Sequence, residues 1–209
     1  MIKTFPKGLL ETNTYVVFEE NSLECMIIDC GVEPQVIYEF VKKENLFVKY
    51  VVLTHGHFDH AHYVEEYERI FSDAKIICHE NEKQVLFDDS ANLSTYLGSG
   101  RGYRCNYTFV KEGDLLTLGE KSEEMCMNFA VLSTPGHTPG CICLYDEKHK
   151  IMFTGDTLFK KSYGRTDFKY GDGNLMYKSL SRLLRMDKDI VFYPGHYDSS
   201  TIGEERYGR

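Results

Sequence analysis

Four stretches of this 209-residue chain share one pattern: a short apolar, β-prone run that stops at residues able to bind a metal. Val51-Val52-Leu53 leads into Thr54-His55-Gly56-His57-Phe58-Asp59-His60, and Ala130-Val131-Leu132 into Pro135-Gly136-His137. Ile151-Met152-Phe153 leads into Gly155-Asp156, and Ile190-Val191-Phe192-Tyr193 into Pro194-Gly195-His196. In layered α/β proteins the strand ends along one edge form the ligand crevice, so loops separated by up to about 140 residues can converge there. A glycine before each of His137, Asp156 and His196 lets the backbone turn sharply into the ligand.

The four loops offer His55, His57, Asp59, His60, His137, Asp156 and His196, a set of imidazoles and carboxylates without a thiolate. Such a set suits zinc, iron or manganese in an open catalytic site, whereas structural zinc favours sets containing cysteine. Seven ligands exceed the needs of one ion. His55 and His57, two apart in a turn, can face one metal, while Asp59 and His60 begin the next helix and can face a second. A single histidine, or an isolated His-x-His pair, is more often a hydrogen-bonded imidazole. The complete His-x-His-x-Asp-His run with three further strand-end ligands selects the metal reading.

Composition narrows the partner. With 24 basic and 32 acidic residues the net charge is −8, the wrong sign for holding nucleic acid or anionic lipid by general basicity, so a small-molecule ligand is expected. The hydrophobic share of 42% and charged share of 27% fit one globular domain spanning residues 1–209. No run approaches the ~18 apolar residues of a membrane span and no secretory leader precedes Tyr15, which predicts a soluble, cytoplasmic protein. Seven cysteines, an odd number without framework spacing, are expected as packed thiols rather than disulfides.

Periodicity predicts a hairpin of strands Thr14–Phe18 and Glu24–Asp29, a helix opened by Pro34, and a buried strand Val48–Leu53. Helices over His60–Phe71 and Glu80–Phe87 flank a strand Lys75–Cys78. The polar, glycine-containing segment Asp88–Asn106 reads as a long loop. Further strands are expected near Leu115–Leu118, Met125–Leu132, Cys141–Leu144, Ile151–Phe153 and Ile190–Tyr193, with a helix at Leu175–Leu184.

The motifs Thr54-His55-Gly56-His57-Phe58-Asp59-His60, Pro135-Gly136-His137-Thr138-Pro139-Gly140, Phe153-Thr154-Gly155-Asp156-Thr157-Leu158-Phe159 and Pro194-Gly195-His196 resemble those of the metallo-β-lactamase-fold hydrolases. Gly164-Arg165-Thr166-Asp167 and Thr201-Ile202-Gly203-Glu204-Glu205 are similar to the short, glyoxalase II-like (hydroxyacylglutathione hydrolase-like) subgroup that lacks a C-terminal helical domain. The resemblance implies an α/β fold, a four-layer αβ/βα sandwich with two metals on one edge. It implies that His55, His57 and His137 hold the first metal, Asp59, His60 and His196 the second, and that Asp156 bridges them. It further implies two divalent ions, zinc with iron or manganese as alternatives, and hydrolysis of a thioester such as an S-2-hydroxyacyl-thiol.

Two such ions lower the pKa of water from about 15.7 to about 7, so no serine or cysteine nucleophile is needed, and Asp59 is expected to orient the attacking hydroxide. A mononuclear-iron persulfide dioxygenase shares the fold and most of the ligands, and a lactonase or other ester hydrolase shares the chemistry. A nuclease is disfavoured by the net charge, a pure binding protein by the intact ligand set, and a β-lactamase by Asp156, which such enzymes usually lack.

The chain departs from the family pattern at Ala61-His62-Tyr63, where two small residues are usual. It also departs at Phe168–Gly173, and at Tyr197, which stands where the short forms usually carry glycine and where substrate would enter. Arg165 could pair a carboxylate of the thiol carrier or could pin its own loop through Asp167. Cys141 and Cys143 share a strand face and are expected in the core, and His79 and His149 are expected solvated. His62 is expected outside the metal set, with a substrate-side or supporting role the lesser alternative. Tyr96, Arg101, Tyr103, Arg104 and Tyr107 crowd the long loop, which could cover an anionic substrate or lie as a solvated flap.

Overall fold

The computed structural model describes residues 1–98, 100–120 and 126–207. Two six-stranded mixed sheets face each other. The first holds β1 (Ile2–Phe5), β2 (Thr14–Phe18), β3 (Glu24–Ile28), β4 (Phe47–Val52), β5 (Lys75–His79) and β6 (Tyr107–Val110), in that spatial order. β1, β2 and β3 are antiparallel, and β3 to β6 run parallel. The second sheet holds β7 (Leu115–Leu118), β8 (Met127–Ser133), β9 (Ile142–Asp146), β10 (Ile151–Gly155), β11 (Val191–Pro194) and β12 (Ser200–Thr201), again in chain order. The helices are α1 (Pro34–Lys43), α2 (Phe58–Ala61), α3 (Val64–Ile70), α4 (Lys83–Leu86), α5 (Gly173–Leu183) and α6 (Ile202–Tyr207).

Successive strand residues point to opposite faces, so a sheet covered on both sides needs apolar residues at consecutive positions. The pairs Val16-Val17, Ile27-Ile28 and Val51-Val52 divide accordingly. The first member of each packs under the outer helices with Ile37, Val64 and Tyr67, and the second enters the space between the sheets. There it meets Phe129, Val131, Leu144 and Phe153 of the second sheet. Met152 and Phe192 turn to the opposite side, onto Met176, Leu180 and Leu183 of α5 and Ile202 of α6. The result is the expected αβ/βα sandwich, helices outside and two sheets within.

Several boundaries differ from expectation. β1 and β6 escape the periodicity because each is four residues long and half exposed. The helix expected over His60–Phe71 is two, α2 and α3, broken at His62-Tyr63. The cause is tertiary: the Cys30 backbone inserts there, its N–H donating to the His60 carbonyl at 2.6 Å and its carbonyl accepting from the Tyr63 N–H at 3.2 Å. Met125, the expected start of the β8 run, lies outside the described residues.

The 88–106 segment is a long connection containing one 3-10 turn at Ser94–Leu97. Its described residues are tied to the body of the protein rather than forming a free flap, and Leu93 lines the cleft. Asn92 donates to the carbonyls of Leu86 and Arg101, the Arg104 and Asn106 amides donate to Glu65 and Glu68 on α3, and Tyr103 is fully buried. Cys141 and Cys143 are buried thiols, as expected for core residues. His79 corrects the expectation of a solvated imidazole. It is buried, accepting from the Asn81 amide at 3.1 Å and meeting Ser133 Oγ at 3.1 Å. His149 is partly exposed and pairs with Asp146.

Candidate metal centre

β4, β8, β10 and β11 end along one edge, and the loops leaving them bring all seven expected ligands together. His55, His57 and His137 form one group, Asp59, His60 and His196 another, and Asp156 joins His55 and His60 in a third; within each group the donor atoms lie within 4.8 Å of one another. His57 Nδ1 and His137 Nε2 are 2.8 Å apart, and His196 Nε2 is 3.2 Å from Asp59 Oδ2. Asp156 lies between the groups: one oxygen is 3.3 Å from His60 Nε2, the other 3.5 Å from His137 Nε2 and 3.6 Å from His196 Nε2. Six of the seven residues are buried, and His196 retains partial exposure at the mouth.

The imidazoles are aimed by partners that motif spacing does not reveal. His60 Nδ1 donates to Asp29 Oδ2 at 2.8 Å, leaving Nε2 to face the centre. Asp29 ends β3 in a left-handed conformation (φ 62°) and also accepts from the Thr54 amide and hydroxyl, so one carboxylate fixes both ends of the Thr54–His60 segment. His137 Nδ1 donates to the Arg165 carbonyl at 2.7 Å. Thr12 Oγ1 donates to Asp59 Oδ2 at 2.8 Å. Asn13 holds the fourth loop through the carbonyls of Pro194 and Tyr197. Partners of this kind set which ring nitrogen is free to bind a metal.

A second buried carboxylate ties two loops together. Glu82 accepts from the Gly56 amide at 2.7 Å, the Gly140 amide at 2.6 Å and Thr138 Oγ1 at 2.6 Å, and so clamps the His55–His57 turn to the loop carrying His137. Burial pushes its pKa up to about 7, against the three donors that pull it down. Sequence signals for these helpers were uneven. Asp29 follows the apolar run Ile27-Ile28 in the same way as the four ligand loops, whereas Glu82 has no comparable mark.

Glycine roles also separate on inspection. Gly136 has φ 148° and a Cβ there would collide with the Met176 backbone at the start of α5. Gly195 instead serves close approach, since a Cβ would meet Asp156 Oδ1 and His60 Cε1.

The electrostatics suit a divalent cation. Burial, reinforced by neighbouring imidazoles, pushes the pKa values of His55 and His57 well down, and burial lowers that of His137. Burial also opposes charge on His60, but Asp156, Asp59 and Asp29 outweigh it and hold that pKa well above the usual imidazole value. For Asp156 burial is outweighed by His60, His196 and His55, which keep it well below the carboxylate range. Neutral imidazoles and ionised carboxylates are the states that bind metal, and the proton held on His60 is the charge a cation would replace. His55 Nε2, buried, has no hydrogen-bond partner among the described residues, as expected of an atom kept for a metal. The residues therefore fit a His/Asp metal-binding cluster.

The remaining candidates fall differently. Arg165 lines the cleft over the centre, but its guanidinium makes a two-pronged contact with Asp167 at 2.9 and 2.7 Å and lies 4.2 Å from the Phe168 ring centroid. Tyr197 lines the same cleft, highly exposed, in edge contact with Phe159. His62 is absent from that cleft; its ring meets Tyr63 and its carbonyl accepts from Arg101.

A model of the metallo-beta-lactamase superfamily matches residues 8–196. An uncharacterized protein of Aquifex aeolicus is 38% identical, over 99% of this chain and 94% of its own length. The hydroxyacylglutathione hydrolase GloC of Haemophilus influenzae is 31% identical, over 98% of this chain and 94% of its own. Among solved structures, the BLEG-1 B3 metallo-beta-lactamase superposes with a TM-score of 0.87 at 32% identity, covering 98% of this chain and 96% of that one. TTHA1623 in a di-iron-bound form gives 0.84 at 29% identity, covering 99% and 98%. ETHE1 from Myxococcus xanthus gives 0.77 at 26%, covering 100% and 82%.

Proposed function

Because the chain belongs to the metallo-beta-lactamase superfamily and carries a His/Asp metal-binding cluster, we propose that it is a binuclear metallohydrolase cleaving a small-molecule thioester such as an S-2-hydroxyacyl-thiol. The observation that carries this reading is the placement of Asp156 within 3.6 Å of members of both histidine groups. In it, His55, His57 and His137 would hold one divalent ion, Asp59, His60 and His196 would hold the other, and Asp156 would be shared between them. Zinc is the proposed metal; the di-iron form of TTHA1623 supports iron as the alternative. When bound, such a pair supplies hydroxide at neutral pH and polarises the substrate carbonyl.

The chain's own residues do the positioning. Asp59, with Oδ2 held by Thr12, accepts a hydrogen bond from the attacking water and directs its lone pair. Asp29 and the Arg165 carbonyl fix the rings of His60 and His137. A thiolate leaves readily, so the site requires no separate general acid. Tyr197 is assigned to substrate contact at the mouth, whereas the Arg165 side chain is assigned to its loop through Asp167. The GloC relative supports a thioester of hydroxyacyl type. The net charge of −8 supports a small-molecule partner rather than nucleic acid or an anionic membrane. No described helix is long and apolar enough to cross a membrane, in keeping with the proposed cytoplasmic location.

The test is a substrate panel on metal-loaded protein: hydroxyacyl thioesters, a lactone, a β-lactam, and a persulfide in an oxygen electrode. The expected result is thiol release from thioesters without oxygen uptake. Oxygen consumption on the persulfide without thioester cleavage, or faster opening of the β-lactam or lactone, would overturn the assignment.

A further inference from the structure

Two residues at the cleft mouth are held in a disfavoured backbone conformation, with Tyr197 resting its ring against Phe159 and His196. Leu10 (φ 52°, ψ 28°) and Tyr197 (φ 67°) lie in the left-handed region that disfavours every residue with a Cβ, and their side chains are 67% and 69% exposed. Glycine or asparagine would relieve the backbone and a polar side chain would suit the solvent.

The conformation is imposed from both sides. The Leu9 amide donates to the Gly31 carbonyl at 3.1 Å, and Thr12 is tied to Asp59. The Asn13 amide donates to the Gly195 carbonyl at 2.7 Å, while its side chain holds the Tyr197 carbonyl at 2.9 Å. Strain persisting in over-determined segments beside a reaction centre is the pattern expected of groups kept for a ligand.

Both side chains line the cleft of about 430 Å³ above the metal cluster, together with Phe58, Leu93, Phe159 and Phe168. Among the described residues Arg165 is the one Arg or Lys in that lining, and its guanidinium is engaged by Asp167 and Phe168. Lys160 and Lys161, next to Phe159 in the chain, are not part of it. Beyond the ligands the walls are mainly apolar and aromatic, with Ser162 and Tyr163 as their polar members, and among the described residues they offer no uncommitted cation.

We propose that Leu10 and Tyr197 are specificity-determining residues that grip the apolar tail of the acyl group, beyond any 2-hydroxyl, over the metal cluster, so that the site favours longer acyl thioesters and gains nothing from an anionic thiol carrier. The proposal takes its scissile bond from the thioester reading above; the grip itself does not depend on turnover.

The experiment measures, by calorimetry on the metal-loaded protein, the binding of non-hydrolysable thioether analogues. These carry two-, four- and six-carbon chains on N-acetylcysteamine or on glutathione, and turnover of the matching thioesters is followed in parallel. Affinity should rise about three- to fourfold per buried methylene, and the glutathione series should bind no tighter than the neutral one. Leu10→Ala and Tyr197→Gly should each flatten the chain-length dependence. Tyr197→Gly should leave Tm unchanged or raised, because glycine accepts this φ without strain. Chain-length-independent binding, tighter binding of the anionic series, or variants that keep the dependence would overturn the proposal. So would a Tm loss above about 5 °C with selectivity intact, which assigns the residues to the fold. Analogues that bind with the predicted dependence while no thioester is hydrolysed would sustain the grip and remove the hydrolase reading. Hydrolysis without the dependence would do the reverse.

Discussion

Asp29 shows how much of the centre rests on single side chains outside the ligand set. Its carboxylate accepts from His60 and from the Thr54 amide and hydroxyl, so Asp29→Ala frees both the ring and the turn that leads to it. Losing a partner of this kind typically weakens metal binding about 10- to 100-fold. A competition titration with a chelator should show that loss, and unaltered affinity would remove Asp29 from the account. Arg165→Ala is expected to act differently. Its side chain is exposed and committed to Asp167, so kcat/KM for anionic and neutral thioesters should shift together and Tm should barely move, because exposed ion pairs contribute little. A rise in KM confined to anionic substrates would return Arg165 to the substrate. The seven ligands were legible in sequence because they cluster where four apolar runs end. Thr12, Asn13 and Glu82 were not, since a lone polar residue has no periodicity and its partner lies tens of residues away.

At the level of elements, Glu82 couples two loops that come from different sheets. The His55–His57 turn follows β4 and the His137 loop follows β8, and the Glu82 carboxylate receives a backbone N–H from each. Its pKa of about 7 lies above its ordinary value of 4.5, so the native state keeps a proton that the unfolded chain releases. The associated stability is present at low pH and is lost as pH rises from about 4.5 to about 7, by on the order of 3 kcal/mol. Denaturant unfolding of the metal-free protein across that range should show this loss as a difference in slope between wild type and Glu82→Gln, since the buried imidazoles titrate in both. Identical pH profiles for the two proteins would contradict the buried-carboxylate reading. Strands were legible where both faces are buried, as in Val51-Val52 and Ile27-Ile28. The α2–α3 break was hidden because it is made by the Cys30 backbone, some thirty residues earlier in the chain and invisible to helical period.

Across the whole molecule, the sandwich explains why distant motifs meet. Both sheets present ligand-bearing strand ends on the same edge, and the Ile142 amide donates to the Thr54 carbonyl at 3.0 Å, joining the sheets where the centre begins. The fold class was legible from consecutive apolar strand residues and strand-end ligands, while edge strands β1 and β6 depended on tertiary pairing too short to read locally. Central to the proposed function are two metals sharing Asp156. Elemental analysis of protein reconstituted with excess divalent ion and then desalted tests this most directly, with wild type and Asp156→Asn compared. It should give close to two ions per chain for wild type and close to one for the variant, with kcat lower by about a thousandfold. A single tightly held ion in wild type, or two ions and near-normal turnover in Asp156→Asn, would contradict it.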